Sequence, residues 1–434
     1  MADGEINGAP AKSELVDGAA HEEGKPKTAT ELASRLQHLS LSAQTIHADD
    51  FLNSHQSVAP PMHVSTTFRY NRDPDKLQRW VNTNPANQYD SHVYSRDSAP
   101  NSTRFEAVLT SILGGPSLSY SSGLSAFHAL LVLLNPKRVA IGDGYHGCHG
   151  VITLLSKLTG LTTVPLTADF EKELQPGDVV HVETPLNPTG EARDLASFAE
   201  RARKVGAWLS VDATFAPPPL MRPFELGADI VMHSGTKYFG GHSDMLAGVL
   251  AVNPKHADWI DKLRAERLVL GSVMGSLEGW LGVRSLRTLE IRVRKQSKDA
   301  EELVKWLAEE AKEGGKASDL VLQVKHASLQ KEDLEQGWLK KQMPNGFGPV
   351  FAVYMKDEDY ARRLPSKLEL FHHATSLGGV ESLVEWRAMT DATVDRRLLR
   401  FSIGLEGFED LRDDLVKGFE ALRKEKKSKG TSGA

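Results

Sequence analysis

A chain of 434 residues, 40% of them hydrophobic and 25% charged, has the balance of a soluble globular protein large enough for two or three domains. A net charge of -5 with interspersed signs leaves no extended basic face, which excludes nucleic acid as an expected partner, and no apolar run is long enough to span a bilayer. The single cysteine, Cys148, rules out an internal disulfide framework and reads as a small buried thiol in a reducing compartment.

In chain order, residues 1–42 are predicted to form a disordered tail, being rich in Ala, Gly, Glu, Asp and Lys and lacking aromatics. No arginine precedes Arg35 and no apolar segment resembles a secretory signal, so a cytoplasmic location is expected. Residues 43–92 read as an extended arm, because Pro60-Pro61 forbids a regular helix, with a polar insert over Asn71 to Ser91. Thr103 and Glu106 have capping-box spacing ahead of a helix predicted over Phe105 to Leu113 and closed by Gly114-Gly115. Ser121, Ser122 and Gly123 then lead into a second helix whose free N–H groups offer an anion site.

The pattern next settles into alternating strands and helices. RVAIGDGYHG is predicted as a strand ending at Tyr145, Val151 to Leu158 as a helix and Thr162 to Leu166 as a strand. DVVHVETPLNPTG is a further strand ending in a proline-set loop with Asn187; a helix over Leu195 to Val205 and a strand over Trp208 to Val211 follow, with Asp212 at the carboxyl end. Such alternation predicts a mostly parallel sheet covered on both faces. Beyond Val252, Ser276 to about Glu310 reads as one charged helix interrupted at Gly282. Strands are predicted over Leu320 to Val324, Val350 to Met355 and Leu398 to Ile403, with a closing helix over Asp410 to Lys427; the polar stretch His326 to Asn345 has no assignment.

The chemistry concentrates in DIVMHSGTKYFGGHSDMLAGVLAV, Asp229 to Val252. A strand-length apolar run delivers Lys237, and Gly240-Gly241 precedes a second apolar run, Met245 to Val252, so the lysine is expected at a strand edge. Lysine forms an imine with a carbonyl cofactor, which requires a rigid, dry position and a lowered pKa. Ser234 and Thr236 offer hydrogen bonds to a phosphate, and the glycines admit close backbone approach. A lysine in a glycine-rich turn is by itself only a surface residue. Asp212, at an earlier strand end, changes that reading: a carboxylate that keeps a pyridine nitrogen protonated and a lysine that carries the aldehyde are the pair pyridoxal phosphate requires.

From about Thr45 to the C-terminal helix, with HSGTKYFGGHSD as a specific motif, the chain resembles the cysteine and methionine metabolism (trans-sulfuration) family of fold-type I pyridoxal phosphate enzymes. The resemblance implies an α/β fold with a large domain over 93–275, a smaller C-terminal α+β domain over 276–427 and a disordered tail over 428–434. It implies that Tyr94 and Arg96 bind the cofactor phosphate of a neighbouring subunit in a homodimer or homotetramer with shared sites. It also implies that Ser122, Gly123 and Leu124 hold that phosphate through backbone, that Thr214, Ser234 and Thr236 complete the cofactor site, and that no metal takes part. Tyr145 matches the aromatic that stacks on the pyridine and shuttles protons, and Asn187 the residue near the phenolic oxygen. Lys237 and Tyr145 are then the catalytic pair, while Ser376 and Arg400 match the binders of the substrate carboxylate.

Two positions depart from the family pattern. Thr375 stands where members that handle cystathionine by γ-elimination or γ-synthesis usually have Glu, and Trp386-Arg387-Ala388 stands where a His-Pro-Ala run is usual. Both belong to the side of the pocket that meets the distal end of the substrate. Three readings therefore stay open: a carbon–sulfur lyase acting on cystathionine-like amino acids, a γ-replacement enzyme joining an activated homoserine to a thiol or carbon nucleophile, and a catalytically idle binding protein.

Overall fold

The computed structural model describes residues 36–431 apart from 54–56, 78, 80–91 and 168, with side chains up to 426. The tail expected over 1–42 lies almost wholly outside the described residues, as do most of the polar insert and residues 432–434.

Seven short strands, β1 (Ser117–Tyr120), β2 (Arg138–Ile141), β3 (Thr162–Pro165), β4 (Val179–Glu183), β5 (Trp208–Asp212), β6 (Ile230–Ser234) and β7 (Gly248–Val252), form one sheet in the order β1-β7-β6-β5-β4-β2-β3. Only β7 runs against its neighbours. Each face has its own core. Val180, Val182 and Leu209 pack with the helices Pro100–Leu113 and Leu195–Lys204; Val179, Ile230, Met232 and Leu250 pack with the helices Gly123–Leu134, His146–Thr159 and Trp259–Leu270. Burial on both faces is why these strands read as continuous apolar runs rather than alternating ones.

Five further strands, β8 (Val321–Lys325), β9 (Val350–Met355), β10 (His372–His373), β11 (Leu383–Trp386) and β12 (Leu398–Ser402), form a smaller sheet in the order β10-β11-β12-β9-β8, antiparallel except for β10 and β11. Its core takes Leu303 and Leu307 from the helix Leu289–Glu310 and Leu411, Leu415 and Phe419 from the closing helix Phe408–Thr431. The α/β class, a large mostly parallel sheet with a smaller C-terminal unit, is the one expected. Among the described residues no helix is long and apolar enough to cross a membrane.

Several local expectations need correction. The arm begins with a helix, Leu41–His47, capped by the Ser40 hydroxyl and held to its neighbour by Ser111 Oγ donating to Gln44 Oε1 at 2.9 Å and by the buried Asp49–Arg104 pair. Farther along, Pro60 and Pro61 present carbonyls to Trp280 and Asn101 at 2.8 and 2.9 Å. The first long helix starts at Pro100, where a fixed φ suits the first turn. Glu106 is therefore not a cap; its carboxylate is buried and accepts from Ser119 and Arg267.

β2 ends at Ile141 rather than Tyr145, and the next helix begins at His146 instead of Val151, because Gly147 and Gly150 lower helix propensity and masked its first turn. The strand expected from Met245 is confined to Gly248–Val252. Ser276 to Glu310 is two helices, Ser276–Leu286 and Leu289–Glu310, broken at Arg287-Thr288. Gly282 lies inside the first, where a Cβ would stand 2.6 Å from the Phe105 ring. The unassigned polar stretch contains two short helices, Lys331–Glu335 and Trp338–Gln342. Gln330 and Gln342 each satisfy backbone N–H and C=O groups around Ala192 to Leu195, which accounts for the polarity of this stretch. The closing helix runs to Thr431, so residues 428–431, expected in the tail, are helical.

Candidate active site

A cavity of about 480 Å3 opens at the carboxyl ends of the strands of the large sheet and is closed on its other side by the small sheet. Carboxyl strand ends are where open α/β sheets bind ligands. Asp212 ends β5 and Glu183 ends β4, paired in register, while Ser234 ends β6 and leads to Lys237. Ser122 ends the link from β1 and caps the helix Gly123–Leu134 by accepting from Ser125 N at 3.1 Å. Ser122, Gly123, Leu124, Tyr145, Asn187, Asp212, Thr214, Ser234, Thr236, Lys237, Thr375, Ser376 and Arg400 all line this one cavity.

Tyr94 and Arg96 do not. Arg96 donates to Leu268 O at 2.8 Å and lies 5.4 Å from the half-exposed Tyr94 ring.

Lys237 Nζ donates to Ser376 Oγ at 2.7 Å. Burial lowers its pKa to about 8, the Arg400 charge adds to that and Glu385 opposes it. Asp212 is buried; its Oδ1 accepts from Thr214 N at 3.0 Å and Thr214 Oγ1 at 2.5 Å, and Thr214 Oγ1 in turn accepts from Ser234 N at 2.8 Å. Burial raises the Asp212 carboxyl in spite of those two donors. Beside it, Glu183 is raised by burial first and by the Asp212 charge second; it accepts from Tyr145 N at 2.7 Å and Asn187 N at 2.6 Å. Two buried carboxyls thus stand side by side, and Asp212 has no basic partner among the described residues. Burial likewise raises the Tyr145 phenol. Thr236 exchanges hydrogen bonds with Ala247, 3.2 Å to its carbonyl and 3.0 Å from its N–H.

Arg400, on β12, faces Glu385 on β11 as a cross-strand pair at 2.6 Å, and both are nearly fully buried. It also donates to Asn187 Oδ1 at 3.0 Å and to Ser376 O at 2.9 Å, so one guanidinium joins both sheets to the loop that carries Ser376. Ser376 has φ of +90°, a region sparsely occupied by residues with side chains, and these two contacts hold it there. Burial alone would raise Glu385, but Arg400, Thr390 and Arg387 keep it below the ordinary carboxylate value.

Sequence reading missed Glu183, His146, Phe215, Leu246, Glu385 and Thr390, and it met Arg387 only as a departure from a pattern. Glu183 carried a usable signal: it closes a buried strand as Asp212 does. The others are brought in by tertiary packing, and all but Glu385 line the cavity.

Residues 42–420 match the family described as Cys/Met metabolism PLP-dependent enzyme. The chain belongs to that family. It is accordingly a pyridoxal phosphate-dependent enzyme of the trans-sulfuration type. It is 31% identical over 398 residues to the cystathionine gamma-lyase of Saccharomyces cerevisiae, covering 86% of this chain and 95% of that one. The cystathionine gamma-synthase of Escherichia coli is 33% identical over 388 residues, 85% and 94% of the two chains. The crystal structure of a methionine gamma lyase from Micromonospora echinospora superposes with a TM-score of 0.75 at 31% identity over 88% of this chain and all of that one.

The family's cofactor fits these residues. An unpaired buried carboxylate at Asp212 suits a cationic pyridine nitrogen. A Cβ on Gly123 would come within 3.2 Å of Ser234, so glycine keeps a cradle open between a helix N-terminus and a hydroxyl, as a phosphate needs. Cys148 is buried, and burial raises its thiol well above the ordinary value, which disfavours the nucleophilic thiolate. Among the described residues no cluster of His, Cys, Asp and Glu could hold a metal ion.

Proposed function

We propose that the enzyme cleaves the carbon–sulfur bond of a cystathionine-like amino acid, with Lys237 and Tyr145 moving protons and Arg400 holding the substrate α-carboxylate. The observation that carries this reading is the single cavity in which a lysine with pKa lowered to about 8, an unpaired buried aspartate and a buried arginine converge. Bound pyridoxal phosphate supplies an electron sink for the substrate α carbon. Asp212 would keep the pyridine nitrogen charged; Leu124, Gly123 and Ser122 would offer backbone, and Ser234 a hydroxyl, to the phosphate, and Asn187 would complete the cofactor's pocket. Lys237 Nζ takes the α proton in its neutral form, and burial, which disfavours its charged form, makes that form available as pH rises toward about 8 rather than toward the ordinary value. Tyr145 Oη, at the cavity wall, serves the leaving group. Tyr94 and Arg96 lie away from their own cavity and serve the phosphate of a second copy, so the working unit is at least a dimer in a reducing compartment.

A γ-replacement reading in which the nucleophile carries no ammonium is favoured by one feature: the wall has Thr375 and Arg387, with no carboxylate at position 375 to receive a distal ammonium. A panel of cystathionine, cystine, O-acetylhomoserine and O-succinylhomoserine, each with and without an added thiol, tests both. Ammonia and ketoacid from cystathionine without thiol support cleavage, turnover that requires the thiol supports replacement, and no turnover by loaded protein would overturn both.

A further inference from the structure

We propose that Arg387 is a second anion-binding group of the active-site cavity and selects amino acids that carry a carboxylate at the end remote from the α carbon. The inference rests on the amino-acid reading above. Arg387 follows β11 directly and opens a single turn, Arg387–Met389, that carries Thr390 to the cavity wall. Its side chain is about 5% exposed, yet it lines the same space as Tyr145 and His146.

The groups around it leave its charge under-used. Nη1 donates to Glu385 Oε2 and to Thr390 Oγ1, both at 3.0 Å. Nη2 is 3.8 Å from Asp391 Oδ2, too far for a hydrogen bond, while the Thr393 N–H and hydroxyl hold the other oxygen, Oδ1. Nε is buried without an acceptor. Glu385 is itself shared with Arg400, so two buried guanidiniums have one carboxylate within hydrogen-bond distance. His146 and Tyr145 add no fixed negative charge. A buried guanidinium normally has its N–H groups satisfied, and the planar fork matches a carboxylate. Once a substrate α-carboxylate engages Arg400, the remaining unmet demand for an anion is at Arg387. Thr375 on the same cavity supplies no competing carboxylate.

The alternative is that Arg387 only braces Glu385 and Thr390. The two are separated by titrating the pyridoxal phosphate-loaded protein with L-2-aminoadipate and with L-norleucine, which share a chain but differ in the distal carboxylate, and reading the change in the cofactor's visible spectrum. Wild type should bind aminoadipate more tightly by about tenfold to a hundredfold, the span of a hydrogen bond to a charged group. Arg387→Met should erase that preference while leaving norleucine affinity in place, and Arg387→Lys should retain part of it. Equal affinities in wild type, or equal weakening of both ligands in Arg387→Met alongside a lowered melting temperature, would overturn the inference in favour of a brace. A loaded protein that responds to neither amino acid would overturn the proposed function itself, and this inference with it.

Discussion

Lys237 Nζ donates to Ser376 Oγ at 2.7 Å across 139 residues of chain, tying the loop that leaves β6 to the loop that precedes β11. Arg400 holds the carbonyl of the same serine, so one short segment ties Lys237 to Arg400, the groups proposed as the reactive amine and the binder of the substrate carboxylate. Catalytic groups act efficiently only when held in register with each other, and here the two sheets share that task.

The first consequence concerns pH. Burial, reinforced by Arg400, brings the Lys237 pKa down to about 8, so below that value the amine is charged and above it neutral. Only the neutral amine attacks an aldehyde. Attachment of pyridoxal phosphate to stripped protein, followed by absorbance, should therefore quicken as pH rises through about 8 and then level off. A midpoint near the ordinary 10.5 would show that the pocket does not depress the amine.

Asp212→Asn should still take up the cofactor but react slowly. An amide removes the charge that favours a protonated pyridine nitrogen while keeping the shape and an oxygen for Thr214. Turnover should drop about a hundredfold or more, the scale seen when one electrostatic stabiliser is removed. Near-normal kcat would remove Asp212 from the role given to it.

Thr375→Glu places a carboxylate on the cavity wall beside Ser376. If that wall meets the distal ammonium of the substrate, kcat/KM for cystathionine relative to O-acetylhomoserine should rise by about tenfold. An unchanged ratio would place the distal subsite elsewhere.

How much of this was legible in the sequence depended on whether a residue's role is local. Asp212 was readable because it ends a short apolar run that itself predicts a strand end, and Lys237 because an apolar run leads to its turn, in which it lies past Ser234 at the end of β6, and a second run follows. Arg400 was placed by motif, but its partner Glu385 lies across a strand pair that no local pattern reveals. The same limit explains the misread cap: Thr103 and Glu106 have the right spacing, yet Arg267, far along the chain, claims Glu106. The polar stretch around Gln330 and Gln342 had no assignment because the backbone groups those side chains satisfy belong to Ala192 through Leu195.

Assembly gives the fourth expectation. If Tyr94 and Arg96 serve a second copy's phosphate, Lys237→Ala and Arg96→Ala homodimers should both be crippled. A mixed dimer regains one site that has the intact lysine of one chain and the intact arginine of the other. Activity well above either parent should follow subunit exchange. Exchange proven by mass spectrometry without recovery would confine Arg96 to its own chain.

The central claim, that Lys237 is the residue that carries the cofactor, is tested most directly by reducing the pyridoxal phosphate-loaded enzyme with borohydride and mapping the modified peptide by mass spectrometry. The phosphopyridoxyl mass should lie on Lys237, in the peptide containing HSGTKYFGGHSD, and Lys237→Ala should lose both the adduct and the visible band while keeping its fold by circular dichroism. An adduct on another lysine, or a band that survives dialysis of Lys237→Ala, would contradict the account.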